Sequence, residues 1–268
     1  MMENNDRTYR FMMIGAHPDD MELRCGGLAL RLREAGHRVR FLSLTDGGAG
    51  HHLMERETLK ERRRNEAENA ARLLDVEYEI LDYPDGELEP TLAARKDLIL
   101  RIRAFAPHVI LTHRTNDYHP DHRAAGRLVM DCAYMVNVPL VCPEAPAMAF
   151  APVILSVWDP FTKPQPFHPD VAVPYDAWAE KKMQAVLCHI SQLYEWLPHV
   201  DGWEDVENAS SYEEKTALIR RRLDRQFRQD AVLYPDRVPP GTLYAETFEW
   251  NEYGGRLTED VRKVMEGQ

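Results

Sequence analysis

At 268 residues the chain suffices for one large α/β domain, or a domain plus a smaller C-terminal subdomain, and its 44% hydrophobic and 29% charged content excludes a disordered chain. A net charge of −11 argues against general nucleic-acid binding, which needs a basic footprint. Met1 to Arg10 carries no apolar signal core, and Ala147 to Trp158, broken by Pro152, is too short for a membrane span.

Four cysteines, Cys25, Cys132, Cys142 and Cys188, lack any C-x-x-C pairing and read as reduced core residues, so a cytoplasmic setting is expected. Phe11 to Ala16 reads as a buried strand, and Gly26-Gly27 opens a helical pattern that ends at Ala35-Gly36. Val39 to Thr45 is a second strand, running into the glycine-rich Asp46 to Gly50. Glu55 to Leu74 is a long helix with one solvated face; for any one of Arg62-Arg63-Arg64 that face is the expectation, against the alternative that a single arginine turns inward to a ligand. Tyr78 to Leu81 is a third strand, followed by the turn Asp82 to Gly86. Thr91 to Phe105 is helical up to Pro107, and His108 to Thr112 is a fourth, nearly all-apolar strand. This alternation implies right-handed βαβ units and a doubly wound, mostly parallel sheet.

Beyond the fourth strand, a helix is expected from Arg123 to about Tyr134, a strand at Val153 to Val157, and helices at Tyr175 to Trp196 and Tyr212 to Gln229. The expected organisation is a single domain over residues 1–268, with its core at about 10–200 and a C-terminal helical extension at about 201–268.

Two turns carry the chemistry. Gly15-Ala16-His17-Pro18-Asp19-Asp20 follows the first strand, and His119-Pro120-Asp121-His122 follows the fourth. In an open α/β sheet both lie at the carboxyl edge, where ligands bind. Two histidines and one carboxylate leave a metal open positions, so His17, Asp20 and His122 are the expected ligands of Zn²⁺, a set that also suits Fe(II). Asp19 would be the base acting on zinc-bound water. His119, as the imidazolium, would stabilise the oxyanion and protonate the leaving group, with Asp121 holding its ring. His51, His52 and His113 read as loop or supporting residues.

These residues resemble the PIG-L/LmbE-like family of metal-dependent deacetylases. The likeness rests on Ala16-His17-Pro18-Asp19-Asp20 with Cys25-Gly26-Gly27, and on His119-Pro120-Asp121-His122. It extends to Thr45-Asp46-Gly47, the helix Arg63 to Ala71, Tyr83-Pro84-Asp85-Gly86, Asn116-Asp117-Tyr118 and His189-Ile190-Ser191-Gln192, covering about residues 10 to 200. The resemblance implies zinc on His17, Asp20 and His122, Asp19 as base, His119 as acid or electrostatic stabiliser, and Asp85 and Arg63 as contacts to sugar hydroxyls. Many members have glutamate directly after the paired aspartates; here Met21 stands there and Glu22 follows, without an assigned role.

The expected activity is therefore that of a zinc-dependent amidohydrolase removing acetyl from a small N-acetylated amino sugar or glycoside. The chain would have no nucleic-acid partner, and a homo-oligomer remains open. Two rivals stand beside it: an amidase or esterase for a non-sugar acyl group, and a non-catalytic sugar-binding relative. A nucleotide-binding Rossmann protein is disfavoured, because the first strand ends in Gly15-Ala16-His17-Pro18 rather than Gly-x-Gly-x-x-Gly.

Overall fold

The computed structural model describes residues 8–267; residues 1–7, on which much of the expected absence of a signal rests, lie outside the described residues. Among the described residues no helix is long and apolar enough to cross a membrane.

Five strands, β1 (Arg10–Gly15), β2 (Arg38–Thr45), β3 (Glu77–Tyr83), β4 (Val109–Thr112) and β5 (Val153–Val157), run parallel. Two more, β6 (Val171–Pro174) and β7 (Ala245–Asn251), complete a seven-stranded sheet in the order β3-β2-β1-β4-β5-β7-β6, with β7 antiparallel to both its neighbours.

Side chains of a strand alternate between faces, and the interior strands are apolar on both. In β1, Phe11 and Met13 enter one core, while Met12 and Ile14 enter the other. The first core is closed by α1 (Asp20–Glu34) through Leu28 and Leu32 and by α2 (Arg56–Leu74) through Ala70 and Leu74. The second is closed by α3 (Leu92–Phe105) through Leu98 and Ile102 and by α4 (Pro120–Cys132) through Ala125 and Val129. Each fully buried Phe, Met or Leu among them contributes about 1.5–3 kcal/mol relative to exposure.

Several expectations need correction. The fourth helix starts at Pro120 rather than Arg123, because Pro120 fits its first turn and the His119 side chain caps it, accepting from the Asp121 N–H at 3.2 Å. The expected helix at Tyr175 to Trp196 is broken into a short turn, α5 (Ala179–Val186) and a π-helical turn, Ser191–Trp196. The region after residue 200 is not only helical. Besides the helices Tyr212–Phe227 and Glu259–Glu266 it supplies β7, inside the sheet.

Candidate metal centre and its pocket

The two histidine-bearing turns leave adjacent strands, β1 and β4. The chain winds outward from that boundary in both directions, so they meet at the sheet's switch point. Asp20 closes the first turn. Its Oδ2 accepts from the backbone N–H groups of Ala16 (2.9 Å) and His17 (2.8 Å), leaving Oδ1 3.3 Å from His122 Nε2. His17 Nδ1 stands 3.6 Å from the same carboxylate. The three expected ligands are thus drawn together, two from the first turn and one from the second.

Other ring nitrogens crowd the same point. Ligand atoms of His17, His119 and His122 lie within 4.8 Å of one another, as do those of Asp20, His113 and His122, and those of His17, Asp85 and Asp121. His113 is buried, bonds Asp20 Oδ2 at 3.0 Å, and stacks on His122 with centroids 4.1 Å apart, which supports the ligand set from behind.

The donors fit a divalent transition metal. They are imidazole and carboxylate groups, mutually close, with His17 and Asp20 buried and His122 half-buried. Burial alone would lower the histidines, but the carboxylates around them outweigh it. Asp121, Asp20 and Asp85 raise His17 well above its ordinary value, and Asp20 and Asp117 raise His122 to about 9. The site is built to hold positive charge.

Asp19 adopts φ of 152°, a backbone angle unusual for a side-chain-bearing residue. Arg63 holds it there: its guanidinium donates to the Pro18 carbonyl at 2.8 Å and pairs with Asp19 Oδ2 at 2.9 Å. Burial raises the Asp19 carboxyl above the usual range, against the opposing pull of Arg63. Of the three consecutive arginines, Arg63 turns inward, while Arg64 faces the exposed Asp82 and Arg62 pairs with Glu195. Arg63 thereby departs from the solvated-face expectation; its two terminal nitrogens donate to the Gly47 and Pro18 carbonyls, while its buried Nε has no hydrogen-bond partner among the described residues. Asp85 is buried, accepts from the Ala49 N–H at 3.0 Å, and lies 3.2 Å from His17 Nε2.

Two expected roles change. Asp121 does not hold the His119 ring. Its carboxylate accepts from the Gly86 N–H (2.7 Å) and the Leu88 N–H (3.2 Å) and lies 3.3 Å from His17 Nε2, so it orients His17. Burial, and then the charges of His17 and His122, push His119 down, against its expected use as a cation. Its Nδ1 accepts from the Asp121 N–H, which leaves the remaining proton of the neutral ring on Nε2.

Glu22 gains a place as well. It is wholly buried and pairs with His189 at 2.9 Å, with Tyr78 donating to its other oxygen at 3.3 Å.

His17, Asp19, Asp20, Arg63, Asp85, His119 and His122 line a pocket of about 320 Å³ whose wall also includes Arg24, Arg114, Trp158, Phe161, Gln192 and Trp196. Sequence reasoning passed over Arg24, although it follows Asp20 by four residues and so shares its helix face.

An open, mostly parallel α/β sheet with a histidine–aspartate centre at its switch point defines the class. The PIG-L family model, described as GlcNAc-PI de-N-acetylase, matches residues 12–133, and the resemblance read from the two motifs is borne out over that segment. The chain is 32% identical over 136 residues to the diacetylchitobiose deacetylase of Thermococcus kodakarensis, a stretch that is 48% of this chain and 51% of that protein. The chain therefore spans about half the length of that relative. It is 25% identical over 198 residues to the 4-oxalmesaconate hydratase of Pseudomonas putida, covering 69% of this chain and 74% of the relative. In fold it is similar to the N,N'-diacetylchitobiose deacetylase of Pyrococcus horikoshii, with a TM-score of 0.73 at 24% identity over 93% of this chain and 86% of that one.

Proposed function

We propose that this chain is a metal-dependent hydrolase that removes the acetyl group from an N-acetylated amino sugar or its glycoside. The observation that carries this reading is the placement of a strained, elevated aspartate, Asp19, in one pocket with His17, Asp20 and His122. His17, Asp20 and His122 would hold zinc, which when bound supplies Lewis acidity and lowers the pKa of a water to about 7. The same donors suit Fe(II).

The chain's own groups account for the rest. Asp19, fixed by Arg63, takes the proton of the attacking water; its raised carboxyl is better matched to that task than an ordinary aspartate. The neutral His119 donates its Nε2–H to the oxygen that gains charge as the acetyl carbon becomes tetrahedral. Asp19 then returns its proton to the departing amine. Asp121 and Asp85 keep the His17 ring oriented, and Asp85, on the pocket wall, remains the group offered to a sugar hydroxyl.

The test is acetate release from N-acetylglucosamine derivatives by protein as purified, after chelation, and after zinc is restored. Release should disappear with the chelator and return with the metal. A second reading, addition of water across a double bond, is favoured by the hydratase relative, whose match is longer on both chains. Metal-replete protein that releases no acetate but consumes an unsaturated acid would replace the first reading with the second.

A further inference from the structure

Three arginines line the pocket, and two are committed. Arg63 is held on Asp19 and the Pro18 carbonyl. Arg114 is buried, paired with Asp159 at 3.2 Å and with Glu249 at 3.0 Å, and donates to the Gln165 carbonyl at 2.8 Å. Arg24 differs. Among the described residues its half-buried guanidinium makes no ion pair and no hydrogen bond; it lies over the Trp158 ring, 5.6 Å from the centroid. Trp158 is itself fixed, its indole N–H donating to the Tyr234 hydroxyl at 3.3 Å. Asp230, in the adjoining crevice, makes no ion pair with Arg24; its Oδ2 accepts from the Thr247 N–H and hydroxyl at 2.8 and 2.7 Å.

Placement adds to this. Arg24 follows Asp20 by four residues on α1, so it stands just over one helical turn, about 6 Å of rise, from an expected metal ligand and on the same face. The wall carries both signs: Asp19, Asp20, Asp85 and Asp117 are on it, together with His17, His122 and the committed Arg63 and Arg114. Among the described residues, Arg24 is the arginine of that wall with no carboxylate at ion-pair distance. The Trp158 ring beneath it limits where the guanidinium can go, and its N–H fork, without a protein acceptor among the described residues, matches a planar or tetrahedral oxyanion.

We propose that Arg24 anchors an anionic substituent of the substrate, a carboxylate or a phosphate ester, so that the pocket prefers acidic amino-sugar derivatives to neutral ones. The inference rests on the deacetylase reading only for the identity of the remainder of the substrate.

Metal-loaded wild-type protein, Arg24→Ala and Arg24→Lys are titrated calorimetrically with methyl N-acetylglucosaminide, N-acetylglucosamine 6-phosphate and N-acetylmuramic acid. Acetate release is followed on the same three compounds. At least one acidic sugar should bind wild type tenfold or more tighter than the neutral glycoside. That advantage should shrink below threefold in Arg24→Ala and be partly kept in Arg24→Lys, with the salt sensitivity of binding reduced in parallel. Whether the phosphate or the carboxylate sugar holds the advantage identifies the anion.

Equal binding of acidic and neutral sugars by wild type overturns the proposal, whatever the variants do. So does an undiminished acidic advantage in Arg24→Ala that melts like wild type. If no compound releases acetate while the acidic advantage and its loss persist, the deacetylase reading falls and the anion anchor stands.

Discussion

Asp19 and Asp20 are neighbours with opposite environments, and their substitutions should separate. Asp20 accepts two backbone N–H groups and faces two histidines, and His122 and His113 overcome its burial to hold it well below the carboxylate range. Asp19 is raised instead. Asp19→Asn should keep bound metal, measured by elemental analysis, and lower kcat by about 10²–10⁴, the usual contribution of a general base. Asp20→Asn should lose the metal; full activity in Asp19→Asn would remove it from the mechanism. The meeting of the two histidine–aspartate turns was legible because residue type and motif spacing carry it. The capping use of His119 Nδ1 and the use of Asp121 by His17 were not, because both depend on which way each ring and carboxylate turns in space. A pH effect also belongs to a single pair, His189 and Glu22. Burial pushes the His189 imidazole down, and the Glu22 carboxylate more than reverses it. A histidine raised in the folded state stabilises fully below its unfolded pKa of about 6.5 and loses that stabilisation as pH rises through the folded value. Wild type should therefore melt well above Glu22→Gln near pH 6, by a gap reflecting about 3–5 kcal/mol for a broken buried pair, and the gap should narrow at alkaline pH. A gap independent of pH would show that His189 is uncharged.

Helix placement explains how distant motifs meet. Gly126 lets α4 press against the end of β4: a Cβ there would come within 2.6 Å of the His113 carbonyl oxygen and 3.0 Å of that of Arg114. Backbone cannot yield as a flexible side chain can, so Gly126→Ala should lift α4, and with it His119 and His122, away from His17. Overpacking of this kind costs about 1–3 kcal/mol, and a chain of this size loses about 2–4 °C of Tm per kcal/mol. Both Tm and zinc affinity, read by competition with a chelator, should fall. A stable variant with unchanged zinc affinity would mean that α4 does not set the site. The parallel strands and their helices were readable because each is a continuous apolar run or a one-sided pattern. β7 was not, because its buried positions include Glu246 and Thr247, which look like surface residues until Lys182 and Asp230 are seen beside them.

The last strand ties the whole molecule together. β7 lies between β5 and β6, and Phe248, Val261 and Met265 enter the core that α1 covers. Glu246 goes further: its two carboxylate oxygens accept from the backbone N–H groups of Gly27 (2.8 Å) and Leu28 (2.7 Å) within α1, while it pairs with the buried Lys182 at 2.7 Å. The helix that carries Asp20 and Arg24 at its start is thus fastened from a residue more than two hundred positions later. A core bounded near residue 200 would lack that fastening. It would also leave β5 and β6 with exposed edges and Lys182 as an uncompensated buried charge, each a source of failure on its own. Removal of residues 241–268 should abolish cooperative thermal unfolding or drive the chain into aggregates, as judged by calorimetry and light scattering. A truncated chain that melts cooperatively and still binds zinc would make residues 241–268 an appendage. Glu246→Ala, which deletes the fastening but keeps the strand, should lower Tm and weaken zinc binding together, because the same helix answers for both.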